Sequence, residues 1–226
     1  MSANDDVPVT KDLFRSVMPT TFGVVAFVLS FICTVACNAI KFSSTSGPAV
    51  TVEFGFWTHE GLDLYQDTDG DHYAIVSCTG YSDDVQMDSI WKASAAFSVI
   101  PLILGGLVFI GKCCTACSNQ YHCFDSVGYL LAFLFQGLSL LFLESDACKS
   151  NPVLEQIETS NSPLQGDIAF QETCSASTGM KCAIAATVFW LLAAFASAQA
   201  FWAKKQKEYP PLSQSEPFLI GESVMY

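Results

Sequence analysis

Residues Cys182–Ala203, CAIAATVFWLLAAFASAQAFWA, carry no charged side chain and are bounded by Lys181 and Lys204. A helix needs about 20 consecutive apolar residues to cross roughly 30 Å of hydrocarbon, and this run is long enough. Three other uncharged runs match it: Phe22–Ile40 after Pro19, Ala93–Gly111 between Lys92 and Lys112, and Ser126–Leu143 between Asp125 and Glu144. A proline such as Pro19 suits a helix's first turn. Composition agrees: 51% of the residues are apolar, only 14% are charged, and the mean hydropathy is +0.37. That is too apolar for an ordinary soluble domain. The expected fold class is therefore an all-α membrane protein. It is a bundle of four transmembrane helices with a small antiparallel β-sheet in its first extracytoplasmic loop.

The runs divide the 226 residues into nine segments. These are a tail (1–19), a first helix (20–41), a first outer loop (42–91) and a second helix (92–111). An inner cysteine-rich loop (112–125), a third helix (126–143), a second outer loop (144–181), a fourth helix (182–203) and a polar tail (204–226) follow. Basic residues near helix ends set orientation. Lys11, Arg15, Lys112, Lys204, Lys205 and Lys207 share the cytoplasmic side if both termini lie there. The opposite orientation would export the Lys204–Lys207 cluster. Residues 1–19 are polar and no cleavage site follows a short apolar core, so no cleavable signal peptide is expected. The first helix then acts as its own insertion signal. The plasma membrane is the expected compartment, and endosomes or vacuoles are the alternative.

Most of the net charge of −12 falls in the outer loops. The first alone holds Glu53, Glu60, Asp63, Asp67, Asp69, Asp71, Asp83, Asp84 and Asp88. Such a surface repels nucleic acid and anionic lipid and attracts cations or basic partners. Within it Val50, Val52, Phe54 and Phe56 alternate with Thr51, Glu53 and Gly55, which is the period of a strand. Leu62 and Leu64 alternate with Asp63 and Tyr65, and Tyr73–Cys78 is a third candidate. Asp67-Thr-Asp-Gly-Asp71 between them reads as a turn. A sheet of about three antiparallel strands is expected. Asp67, Asp69 and Asp71 have the alternating carboxylates of a calcium loop. However, the glycine stands fourth rather than sixth, and Cys78 occupies the place of the bidentate glutamate. His59 and His72 lack a third ligand for zinc. No metal site and no cofactor is expected.

Gly55-Phe56-Trp57 followed at a distance by Cys78 resembles the Gly-Leu-Trp…Cys signature of the claudin and epithelial-membrane-protein tetraspan superfamily. The order of four helices, the inside termini and the larger first loop are also similar. Two departures stand out: that pattern has two first-loop cysteines and an earlier tryptophan, whereas this loop has Cys78 alone and no such tryptophan. The resemblance implies structural or lateral association, or service as an accessory to another membrane protein. Phe54, Gly55, Phe56, Trp57 and Tyr65 are the interaction-loop candidates, and the aromatic ones serve either as contacts or as sheet core.

Ten cysteines need placing. Cys148 and Cys174 lie in the second outer loop, and a disulfide closing it is expected in an oxidising compartment. Cys78 is left over unless it pairs with one of these or with Cys182, since connectivity does not follow from sequence. In the inner loop, Cys113, Cys114 and Cys117 are candidates for S-acylation beside the membrane. Unmodified cytosolic thiols are the plain alternative. Cys114-x-x-Cys117-x4-His122 begins like a zinc knuckle, but its fourth ligand would fall near Val127 inside the next helix.

Gln136 sits mid-helix, where an amide should face other helices. In the fourth helix Ala186, Ala193, Ser197 and Ala200 fall near one face, which suits tight packing. Trp202 lies where an interfacial aromatic belt belongs. Pro101 and Gly105-Gly106 in the second helix permit a kink and close helix approach. No N-glycosylation acceptor occurs in either outer loop. In the tail, Tyr209-Pro-Pro-Leu212 fits a tyrosine-based sorting signal, with Tyr209 and Leu212 as its anchors. Glu216–Ile220 nearly fits a dileucine signal, and Val224-Met-Tyr226 could add to a PDZ groove.

The apolar cores of all four runs lack Asp, Glu, His, Lys and Arg. Proton relays, coupled transporters and intramembrane proteases need such groups at depth, so an enzyme is not expected. The leading expectation is a claudin-like tetraspan that associates in the bilayer as a homo-oligomer or with another membrane protein, without nucleic acid. The alternative is a subunit or regulator of a cation-selective channel, with Asp63, Asp67, Asp69 and Asp71 concentrating cations.

Overall fold

The computed structural model describes residues 8–46, 51–66, 72–82, 85–115, 122–159 and 169–208. In chain order the elements are α1 (Pro8–Val35), β1 (Ile40–Ser43), β2 (Thr51–Phe54), β3 (Thr58–Gln66), β4 (His72–Gly80) and α2 (Ser89–Thr115). Next comes α3 (His122–Ser139), continued by a 3-10 turn over Leu140–Glu144. After it come α4 (Asp146–Lys149), α5 (Pro152–Thr159), β5 (Ser175–Ala176) and α6 (Thr178–Glu208).

Among the described residues four helices are long and apolar enough to cross a membrane, over Val17–Val35, Ser89–Cys113, Phe124–Glu144 and Thr178–Gln206. They close into a ring: α1 packs on α2 and α6, and α3 packs on the same two. Caps help to set the ends. The Asp88 carboxylate accepts the backbone N–H groups of Ile90 and Trp91 at 3.3 and 3.0 Å, which opens α2 as an N-cap does.

The helices are apolar on the outside. Val24, Val28 and Phe31 of α1, Ile103 and Leu107 of α2, Leu130 and Leu134 of α3, and Val188 and Phe195 of α6 are all exposed. Small residues point inward instead: Ala26, Ala132, Ala186 and Ala193 are buried around Tyr129 and Trp190. Gly105 makes room for the larger ring, because a Cβ there would lie 2.6 Å from the edge of Trp190. Gly106 has nothing within 4 Å of its missing Cβ, so only the first of the two glycines serves close packing. An apolar exterior over four such helices is compatible with a multi-pass membrane protein.

Among the described residues the sheet has five antiparallel strands in the order β4-β3-β2-β1-β5, not three. β2 and β3 come from the segments whose alternation reads as strand, and β4 from the third candidate, Tyr73–Cys78. β1 does not, because its residues finish an apolar run that reads as helix. α1 stops at Val35, short of the 41 read from hydropathy. The reason lies in the hydrogen bonds beyond it. The Ala39 N–H donates to Phe54 O at 2.9 Å, and Ala39 O accepts the Ser177 N–H at 2.9 Å. Two strands thus draw the backbone out of the helix, and Ile40 pairs with Phe54 on one side and with Ala176 on the other. β5 belongs to the second long connection, so the sheet ties both connections together.

One face of the sheet rests on the end of the bundle. Ile40, Phe42, Val52, Phe54 and Phe56 are buried there against Trp91, Phe142 and Met180. At roughly 25 cal/mol per Å² of apolar surface removed from water, burying each such side chain is worth about 1.5–3 kcal/mol.

Candidate interaction platform

The corner between β2 and β3 is built by Gly55. A Cβ at this position would lie 2.3 Å from Ala36 O, 2.9 Å from Cys37 Cα and 3.0 Å from Thr58 O, all backbone atoms. Only glycine lets the corner touch the end of α1 so closely. Its N–H donates to Thr58 O at 2.7 Å, and its carbonyl accepts the Tyr81 hydroxyl at 2.8 Å. Phe56 O accepts the Trp91 indole N–H at 3.4 Å, and the Phe56 ring lies 4.7 Å from Phe142. Tyr81 stacks edge-on against Trp91 at 5.0 Å. Burial pushes the Tyr81 phenol well above its ordinary range, so it remains a hydrogen-bond donor.

The interaction-loop candidates therefore part company. Phe54, Gly55 and Phe56 are buried and hold the sheet to the helices. Trp57 is 49% exposed. Tyr65 stands opposite Tyr73 in the β3–β4 register, and both side chains lie outside the described residues.

The outward side of the sheet holds an acidic pair. The Glu53 N–H donates to the Glu60 carboxylate at 3.2 Å, and the Glu53 carboxylate accepts the Ser177 hydroxyl at 2.6 Å. Lys41 faces Glu53 across the β1–β2 register. Partial burial raises the pKa of Glu60, the Glu53 charge raises it further, and the Glu53 N–H opposes both.

Two disulfides secure this end. Cys148 joins Cys174 with 4.8 Å between Cα atoms, and the Cys174 N–H also donates to Cys148 O at 3.1 Å. Cys78 is not left over: it joins Cys37, with 5.9 Å between Cα atoms. Cys37 escaped the sequence reading because it sits within an uncharged run assigned to the first helix. The signal was there in the form of an unpaired Cys78 and a polar Cys37-Asn38 step at the end of that run.

At the bundle's centre, Gln136 acts through hydrogen bonds. Its Oε1 accepts the Ser30 hydroxyl at 2.7 Å, and its Nε2 donates to Ser139 Oγ at 3.2 Å and to Cys33 Sγ at 3.6 Å. The Trp190 indole N–H donates to Ser30 Oγ at 3.0 Å, so α1, α3 and α6 meet in one network. The Thr34 hydroxyl adds α2 through Ser98 O at 3.0 Å. At the opposite end Lys112 lies 3.6 Å from Asp125 and donates to Thr20 Oγ1 at 3.0 Å.

Other sequence candidates are not brought together. Cys113 is an exposed free thiol at the end of α2, while the side chains of Cys114 and Cys117 lie outside the described residues. So do Asp67, Asp69, Asp71, Tyr209, Leu212 and the Asp63 side chain. Among the described residues no group of three or more His, Cys, Asp or Glu side chains is placed to hold a metal ion. No family model matches the chain, and no curated protein matches it significantly in sequence.

Proposed function

We propose that this chain is a multi-pass membrane protein with both termini in the cytoplasm. It would act, without catalysis, as a claudin-like scaffold that presents its sheet for association with further copies or with another membrane protein. The observation that carries this reading is the division of labour between the two buried clusters. The bundle's interior is held by neutral side chains that bond to one another, under an apolar exterior. The elaborate polar structure is a sheet stapled by two disulfides. Proton relays and coupled transporters need ionisable groups at depth, and Ser30, Gln136 and Trp190 are not ionisable. A rigid sheet edge or face is a common way to recruit a partner. Oxidised cysteines suit a sheet on the extracytoplasmic side, at the plasma membrane or in an endosome or vacuole.

Chemical crosslinking and affinity purification from mild detergent test the reading. The expected result is a discrete ladder of self-crosslinked species, or one co-purifying membrane protein in fixed ratio. A monomer without partners at native expression level would overturn it. Cation conductance in reconstituted bilayers, lost on neutralising Asp63, Asp67, Asp69 and Asp71, would instead make the chain a channel subunit.

A further inference from the structure

We propose that Trp57 is seated in the lipid headgroup layer, so that the sheet is moored to the membrane surface as well as to the helices. This rests on the membrane reading above and assigns one side chain of the platform to lipid rather than to a protein partner.

The β2–β3 corner lies on the rim of the bundle. Gly55 touches the chain just beyond the end of α1, where its missing Cβ would lie 2.9 Å from Cys37 Cα. Phe56 O takes the indole N–H of Trp91, in the first turn of α2, at 3.4 Å. The corner is thus level with the last turn of one helix and the first turn of the next. Phe56 is buried inward against Phe142, and Trp57 is the next residue, half exposed.

The rim at this level is apolar. Val35, the final residue of α1, is 55% exposed, and Ile90, the second residue of α2, is 41% exposed. Val24, Val28, Phe31 and Val35 run up α1 as one outward stripe to meet it. An exposed indole on a corner that touches the ends of α1 and α2, at the level where that apolar surface ends, matches the preference of tryptophan for the membrane–water boundary. The acidic surrounding loop repels anionic headgroups, so a zwitterionic lipid surface is the fitting occupant.

Tryptophan fluorescence in phosphatidylcholine nanodiscs tests this, using Trp57→Phe and Trp202→Phe variants of the full chain. Subtracting the Trp57→Phe emission from that of the unsubstituted protein isolates Trp57, and Trp202→Phe isolates Trp202 in the same way. With a headgroup-nitroxide lipid in the disc, the Trp57 component should lose most of its intensity. Aqueous iodide should leave it largely intact. Quenching by iodide but not by the nitroxide lipid would place Trp57 in water and overturn the proposal. Quenching by neither would place it under protein and overturn it equally. If the Trp202 component also ignores the nitroxide lipid, or the chain stays soluble without lipid, the membrane reading itself has failed, which is a separate outcome from a failure at Trp57 alone.

Discussion

At the residue scale, Gly55 is the least replaceable position of the platform. A methyl group there meets three backbone atoms that have no side-chain freedom to yield. Gly55→Ala should therefore cost at least the about 1–3 kcal/mol typical of overpacking, seen as a lower thermal midpoint in detergent. Gly106→Ala, with open space around it, should leave that midpoint unchanged. Glu60 gives a prediction in pH. Its folded pKa is raised, so the stability it contributes is fully present below about 4.5, its ordinary value, and is lost as pH rises through the folded value. The unsubstituted protein should thus lose stability relative to Glu60→Gln as pH climbs from acid to neutral. A difference in midpoint that stays flat with pH would refute the coupling. The glycine and the tryptophan of the corner are conspicuous in the sequence. What separates Phe56 from Trp57, one buried and one exposed, is a turn geometry that depends on the end of α1, and no local pattern encodes it.

At the element scale, the four long helices were legible because each is an uncharged run with charged ends, and β2 and β3 because their side chains alternate, with Tyr73–Cys78 the candidate for β4 beyond the Asp67–Asp71 turn. β1 and β5 were not. β1 is four residues long and continues an apolar run, while β5 has two residues and finds its partner more than a hundred positions away. Both exist because neighbouring strands offer them backbone partners, which is tertiary context. The Gln136 network makes a sharper statement about helices. Ser30 accepts from Trp190 and donates to Gln136, so it is the hub. Gln136→Leu should cost about 1 kcal/mol, the usual size of a polar contact between membrane helices. Combined with Ser30→Ala the loss should be less than additive, because both changes remove the same bond. Equilibrium unfolding of the two single variants and the double variant measures this. The Cys37–Cys78 bond closes a loop with a sequence separation of 41, worth roughly 4 kcal/mol in the chain-entropy account. Cys37→Ser and Cys78→Ser should each show that loss, and the double variant no more. Unequal losses would mean that one of the two pairs elsewhere.

At the scale of the whole molecule, orientation can be read from Cys113. It is an exposed free thiol at the end of the bundle remote from the sheet, whereas Cys33 is buried. In sealed right-side-out vesicles, a membrane-impermeant maleimide should leave Cys113 unlabelled until the vesicles are permeabilised. Labelling of Cys113 before permeabilisation would reverse the proposed topology. The sheet also orders biosynthesis. β1 is flanked by β2, made almost at once, and by β5, which follows only after α2 and α3 have been made. Throughout that interval one side of β1 offers unpaired backbone groups, which attract wrong partners. Ser175 and Ala176 then arrive just ahead of α6 and fill the vacancy. The segment just ahead of α6 is thus the latch on the first sheet strand, so a ribosome that stops before β5 releases an open template for aggregation.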